Sequence, residues 1–433
     1  MQKPAGLAVL VLAVATAATG QTPTEQTPAE PQIEQRVRAL EAQVQALMAE
    51  VATLKAAKTA EPSPAPAPSI VTLPEAPSAQ EAPTGGEEQQ HGLPLPVHAG
   101  TSSKALNPDI GVIGNFLGAV GSSQGGSDSI APFPALTLQE SEASFQAIVD
   151  PYARADFFLA IGEEGIEVEE GYITFPTVPG GLLIKAGKMR ANFGRLNAFH
   201  NHTLPWIDRP LVMFNLLGGA TDDPDTGIKD AGISVSRLLP MGGLFVEATG
   251  EVFRGDSGTL FSSGRRQDVS AVGHLRAYRD LSESTNLEIG GSYARGHNDQ
   301  GSEFLTQLYG TDVTLRWRPL RRAIYQSFAG RAELVWSRRE QSAGLEKAFG
   351  GFVSADYRLD RRWFLGGRYD WSDRAREADV RDRGFSVVTT FWPSEFTQIR
   401  GQYRRTQFGD GSTANEFLFQ TLFTIGAHGA HPF

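Results

Sequence analysis

The chain has 433 residues, no cysteine, 39 Lys plus Arg against 49 Asp plus Glu, and a formal net charge of −10. The missing cysteine excludes disulfides and thiolate metal centres, and no basic run interleaved with aromatics points to nucleic acid. After residue 20 no stretch approaches the roughly eighteen apolar residues of a membrane helix, so an integral membrane state would have to be a closed barrel.

Residues 1–20 read as a secretory signal: Lys3, an apolar run from Leu7 to Val14, then Ala15-Thr-Ala17, with cleavage after Ala17 or Gly20. Residues 32–56 read as a coiled-coil oligomerisation segment. Ile33, Val37, Leu40, Val44, Leu47, Val51 and Leu54 are spaced alternately by four and three, with Val at a and Ile or Leu at d. Arg36 can meet Glu41, and Glu50 can meet Lys55, of a parallel partner. Val at a leans toward two strands, and three also fit; a helix packing on its own domain is the plainer alternative. Residues 57–104 form a linker in which Pro62, Pro64, Pro66, Pro68, Pro74, Pro77, Pro83, Pro94 and Pro96 favour extended chain over a packed core.

From 105 to 433 apolar and polar residues take alternate places, the period of strands. Tyr309, Val313, Leu315 and Trp317 oppose Asp312, Thr314, Arg316 and Arg318. Trp363, Leu365, Tyr369 and Trp371 oppose Arg368 and Asp370. Charged residues at regular inward positions suit a wetted lumen better than a dry core. Sixteen strands are expected, near 109–120, 135–149, 153–161, 166–175, 182–190, 230–238, 244–253, 268–279, 286–296, 305–318, 325–338, 349–359, 362–373, 384–392, 397–406 and 416–427. In the last, Phe417, Phe419, Phe423 and Ile425 share a face with the terminal Phe433, as in a bacterial outer-membrane strand. Tyr309 and Trp317, like Trp363 and Trp371, are eight residues apart. At about 3.3 Å per residue and a tilt of about 40° this gives roughly 20 Å, near the height of a barrel's apolar band. The fold class is thus an all-β, transmembrane, antiparallel barrel. Its even-to-odd connections should be short turns and its odd-to-even ones longer external loops, such as Gly121 to Pro132, Arg254 to Gln267 and Phe408 to Ala414.

One connection is out of proportion. Residues 191–230 carry Leu204, Trp206, Ile207, Leu211, Val212, Met213, Phe214, Leu216 and Leu217, too apolar to stand in water. Folding inward, this third loop would constrict the channel, with Arg195, His200, His202, Trp206, Asp208 and Arg209 as its polar and aromatic edge. The strand leading into it, Leu183-Ile-Lys-Ala-Gly-Lys-Met-Arg-Ala-Asn-Phe-Gly194, resembles the signature of the phosphate-selective porin O/P family, and Gly426-Ala-His428 is similar to that family's end. The resemblance implies a trimeric sixteen-stranded porin with an inward third loop and a basic lumen. Here the basic residues are arginines: from Arg265 onward there are 23 Arg and one Lys against 20 acids, so the family's lysine-rich vestibule is not visible.

The expected pore lining is Glu140, Glu142, Glu247 and Glu251 from early strands and Arg276, Arg316, Arg331, Arg358, Arg368, Arg400 and Arg404 from later ones. Opposed acidic and basic walls would set a transverse field across the constriction. The alternative is mutual neutralisation, with Arg316, Arg331 and Arg358 paired to Asp312, Glu333 and Asp356. Glu163, Glu164, Glu167, Glu169 and Glu170 read as a solvated cluster near an external loop. No cofactor is expected; His200, His202 and Asp208 have ligand-like types, and His91, His98, His428 and His431 are further histidines. No Gly-x-Ser-x-Gly elbow occurs, so an enzyme is not expected. The function expected is passive diffusion of small hydrophilic solutes or ions through a homo-oligomeric barrel in outer-membrane lipid, with the N-terminal segment in the periplasm. A non-conducting anchor tethered through the coiled coil, or a metal-linked uptake barrel, are the alternatives.

Overall fold

A computed structural model of the chain describes residues 108–123, 133–162, 165–218 and 227–426. The signal, coiled coil and linker, with His91 and His98, lie outside the described residues. So do 124–132 of the first external loop and the end of the chain with His428, His431 and Phe433.

The described residues form one closed sheet of sixteen strands, each antiparallel to its neighbours. In chain order they are β1 (Asp109–Ser123), β2 (Leu136–Asp150), β3 (Ala153–Gly162), β4 (Gly165–Val178), β5 (Leu182–Arg190), β6 (Lys229–Met241), β7 (Leu244–Phe253) and β8 (Ser270–Ser282). There follow β9 (Thr285–Asn298), β10 (Gly301–Trp317), β11 (Ser327–Gln341), β12 (Gly344–Arg358), β13 (Trp363–Arg374), β14 (Glu377–Ser394), β15 (Thr397–Gln407) and β16 (Thr413–Gly426). Closure comes from β1 pairing with β16, with Val112 opposite Ile425 and Phe116 opposite Thr421.

Alternation settles which side each residue faces. On β16, Phe417, Phe419, Phe423 and Ile425 are exposed, while Leu418, Gln420 and Leu422 are buried inside. The closing seam is built for those rings: a Cβ added at Gly118 or Gly114 would stand 2.1 or 2.3 Å from the ring of Phe419 or Phe423. Bare backbone on β1 therefore accepts the aromatic faces of β16. Aromatics also form two rows on the outside. Tyr293, Tyr309, Trp336 and Phe349 are successive partners across β9 to β12. Eight residues along the same strands, Trp317, Phe328 and Tyr357 are partners in turn. Ring centroids in the first row are 5.2 Å apart for both Tyr293–Tyr309 and Trp336–Phe349. Two aromatic rows bounding an apolar band are what a wall facing hydrocarbon requires.

The loop asymmetry is weaker than expected. On the side of the long loops, connections 299–300, 342–343 and 375–376 are tight turns. Their strands run past the apolar alternation: β10 starts at Gly301 rather than 305, and β14 at Glu377 rather than 384. Side-chain alternation stops where the wall leaves the apolar zone, whereas backbone pairing continues as long as a partner strand is present. On the opposite side, 318–326 is the longest connection.

Candidate functional site

The connection from β5 to β6 folds against the inner wall. Its described residues make two 3-10 turns, Leu196–Ala198 and Asn201–Thr203, and one short helix, α1 (Leu211–Leu216). Phe193, Leu196, Leu204, Trp206, Val212, Met213, Leu216 and Leu217 form one apolar cluster with inward residues of the strands, among them Phe253, Val272, Leu308, Val335 and Phe352. Burying them offsets part of the entropy of ordering so long a connection, each large side chain being worth about 1.5–3 kcal/mol.

Entry into the loop explains the Phe-Gly of the β5 motif. Phe193 is fully buried against the bare backbone of Gly310. Gly194 has φ +58°, and a Cβ there would lie 2.0 Å from Glu333 Oε1. Only glycine permits both the bend and the approach. Its amide donates to Ser292 Oγ at 2.8 Å, while those of Arg195 and Leu196 donate to Glu333 Oε2 at 3.2 Å. Asn197 clasps the loop's neck: its Nδ2 donates to the carbonyls of Ala191 and Ile228, and its Oδ1 accepts from the Ile228 amide. Arg209 braces the interior, donating to Asn201 Oδ1 and to the carbonyls of Leu196 and Phe199.

Two charged footings then fix the loop to the wall. At the first, His200 enters a set of carboxylates from β2 and β4. Its Nδ1 lies 2.6 Å from Glu142 Oε2 and 3.1 Å from Glu169 Oε2, and its Nε2 lies 2.9 Å from Glu170 Oε2. Asn201 Nδ2 donates to Glu140 Oε2 at 2.9 Å, and Arg190 Nη2 pairs with Glu169 Oε1 at 3.0 Å. Burial pushes the His200 imidazole down, but the Glu169 and Glu142 carboxylates outweigh it and hold the ring well above the ordinary histidine value. At the second footing, Asp208 meets Arg368 of β13 at 3.0 Å and Arg404 of β15 at 2.9 Å, and accepts from Gln402 Nε2 at 2.6 Å. Burial would raise this carboxyl, yet the two guanidiniums hold it at about 2. Trp206 is wedged beside them, edge-on to Phe352 at 5.4 Å, with the Arg368 guanidinium over its ring at 4.8 Å.

The loop thus gathers much of the charge expected to line the pore. Glu140, Glu142, Arg368 and Arg404 lie at the two footings, Glu251 accepts from the Asn192 amide and side chain, and Arg400 donates to Trp206 O and Gln420. Asp208 stands with arginines rather than with His200 and His202, so the three ligand-like residues picked from sequence do not form one set. Glu247, Arg276, Arg316 and Arg331 keep partly exposed side chains. Arg276 pairs with Glu247, Arg316 with Glu288 at 3.4 Å, and Arg331 with Asp356. Arg195 of the loop also pairs with Glu288. Arg358 donates instead to the carbonyls of Ala323 and Arg361.

Glu169 and Glu170 overturn the expectation that they are solvated: both are 1% exposed. Phe158 of β3 pairs with Glu170 and Leu159 with Val168, leaving Glu169 as an extra residue in β4. This bulge turns two successive carboxylates to the same interior. Two adjacent acids inside a strand were the available signal, because strict alternation would put one of them on the outer face. Glu288 and Asp382 were also missed, being ordinary inward positions whose loop partners, Arg195 and Asn215, lie 93 and 167 residues away. Glu167 remains exposed, paired with Lys188 at 3.0 Å.

No family model matches the chain. An uncharacterized protein of Aquifex aeolicus (strain VF5) is 29% identical over 338 residues, covering 68% of this chain and 70% of that protein. The anion-selective porin from Comamonas acidovorans matches with a TM-score of 0.50 and 12% identity, over 73% of this chain and 98% of that one. Pseudomonas putida OprB, in its high-pH structure, matches with a TM-score of 0.50 and 10% identity, over 75% and 95%. The fold is porin-like. The likeness to phosphate-selective porins rests on the two short motifs alone.

Proposed function

We propose that the chain is an outer-membrane porin for passive diffusion of small hydrophilic solutes or ions, with residues 191–230 as its constriction. One observation carries this reading: the inward loop is fastened to the inner wall while Glu247, Arg276, Arg316 and Arg331 stay partly exposed in the same interior. Fixed guanidiniums and carboxylates orient water and polar solutes and repel apolar ones. Arg keeps its charge across the physiological range, so the field does not depend on pH there. The two aromatic rows and the exposed apolar belt support a place in the bacterial outer membrane. Residues 1–20 would direct export, and 32–56 would join two or three copies in the periplasm. The β5 motif makes inorganic phosphate the first solute to try.

A second reading has its own support. Loop anchors reach β2, β4, β7, β9, β11, β13, β14 and β15, which is much of the circumference. A barrel spanned so broadly could be a closed anchor. Planar-bilayer conductance of the purified protein separates the two. Steady conductance graded by solute size supports the porin; a silent barrel that starts to conduct only when the loop is released supports the anchor.

A further inference from the structure

The first footing leaves one acid of its cluster incompletely satisfied. Four carboxylates, Glu140, Glu142, Glu169 and Glu170, are buried together, faced by His200, His202 and Arg190, with Lys229 acting on Glu169 and Lys185 on Glu170. Glu140 is 9% exposed, and its Oε1 is buried without a hydrogen-bond partner although Oε2 is satisfied by Asn201. A buried carboxylate oxygen left in that condition is costly unless a cation or a proton completes it.

Donor geometry points to a metal. One ligand atom each from Glu142, His200 and His202 lies within 4.8 Å of the others, and the same holds for Glu140, Glu142 and Glu169. Glu142 belongs to both groups. Two ligands on a tetrahedral zinc, each about 2.0–2.1 Å from it, stand about 3.3 Å apart. His202 Nδ1 is already 3.5 Å from Glu142 Oε2, while His200 Nδ1, now hydrogen-bonded to that oxygen at 2.6 Å, would move apart from it by about 0.7 Å to share an ion. His200 has the outer partner that ligating histidines usually have: Nε2 faces Glu170 Oε2 at 2.9 Å, which fixes that nitrogen as donor and turns Nδ1 to the cluster.

We propose that Glu142, His200 and His202 bind one divalent transition-metal ion, with Glu140 completing the set from the β2 side. Two imidazoles with carboxylates form a nitrogen and oxygen donor set of borderline softness, and Zn2+ is its best match. The ion would tie residues 200–202 to β2, and so lock the loop from one end only. This inference does not rest on the porin reading, since a closed barrel would hold the same site.

The test uses the full chain in detergent, stripped with a chelator, passed through a desalting column and titrated with ZnCl2 by calorimetry, with bound zinc counted by elemental analysis. The expected result is one tight Zn2+ per chain, an affinity at least about tenfold weaker in His202→Ala, and wild-type affinity in Glu395→Gln, an exposed carboxyl on the β14–β15 turn. His202→Ala leaves the His200 contacts to Glu142, Glu169 and Glu170 in place; retention of heat-modifiable gel migration confirms its fold. Should that variant not fold, Glu140→Gln tests the same ion from the wall side, and a weaker affinity is again expected. Wild-type protein that binds no stoichiometric zinc, or a folded variant that binds it as tightly as wild type, overturns the proposal.

Discussion

The two footings of the inward loop answer one need with opposite charge. At β13 and β15 a single carboxylate, Asp208, enters between two guanidiniums, each with a second acid of its own: Arg368 has Asp370 at 2.8 Å and Arg404 has Glu416 at 2.6 Å. At β2 and β4 an imidazole, His200, enters among the carboxylates of Glu142, Glu169 and Glu170. The first arrangement is nearly neutral and closed on itself, which suits a permanent latch. The second leaves one oxygen of Glu140 buried without a hydrogen-bond partner, which suits a place whose occupancy can change. A buried charge is tolerated where partners surround it and becomes expensive once one is removed.

Asp208→Ala should therefore have the largest effect. It leaves two buried guanidiniums short of an acceptor, and removing one member of a buried pair costs about 3–5 kcal/mol. That cost falls on the docking of the loop, because the sixteen-strand ladder makes no use of Asp208. Heat-modifiable migration should survive while residues 191–228 become open to protease and the conductance rises or turns noisy. A loop still protected in the variant would show that apolar burial alone holds it.

Acid probes the same footing without mutation. The Asp208 carboxyl is held at about 2 in the folded chain, against about 3.9 when unfolded. A carboxyl with a depressed folded value stabilises only while it is ionised. Its contribution, roughly 2–3 kcal/mol, is complete above about pH 4 and is lost as the pH falls through about 2. Arg368, Arg404 and Gln402 do not titrate in that window; Asp370 pairs with Arg368 and also accepts from the Leu211 amide of the loop, and Glu416 pairs with Arg404. Protease protection of the loop followed from pH 5 to pH 2 should decline only in the lower part of the range. Release near pH 5 would place the controlling group elsewhere.

Glu142→Gln should do less. His200 keeps Glu169 and Glu170, and the amide still offers an acceptor, so the loss is about 1–2 kcal/mol. In the same protease assay the variant should lie between wild type and Asp208→Ala. Equal damage from both substitutions would mean that the footings are interchangeable.

How much of this was legible depends on the range of the signal. Each of the sixteen strands overlaps its expected place, because alternation between a lipid-facing side and a polar interior is imposed residue by residue along one strand. The inward loop was legible too, since Trp206, Leu211 and Leu217 have nowhere in water to go. Its footings were not. Asp208 meets Arg368 and Arg404 across separations of 160 and 196 residues, and nothing local marks those partners. Glu169 was misjudged for a different reason: a bulge is a property of two strands together, and the sequence of β4 alone does not contain the register of β3. The expected field across the pore assumed that inward charges remain available. The loop uses Glu142, Glu251, Arg368 and Arg404 for its own attachment, which leaves a smaller set with partly exposed side chains.

That smaller set gives the subtlest prediction, and it tests whether the comparison extends beyond the loop. Arg316 and Arg331 sit away from both footings and are only partly exposed, each against one acid, Glu288 or Asp356. Replacing both by Ala should barely change stability, since partly solvated pairs contribute about 0–1 kcal/mol. It should shift the reversal potential in a salt gradient toward cation preference, because Glu288 and Asp356 would remain in the lumen with fewer counter-charges. Glu288 keeps Arg195 and, at 3.9 Å, Arg276, which limits the size of the shift. An unchanged reversal potential in a conducting double variant would mean that these pairs are already neutral to a passing ion, and selectivity would then have to be sought at the edge of the loop itself.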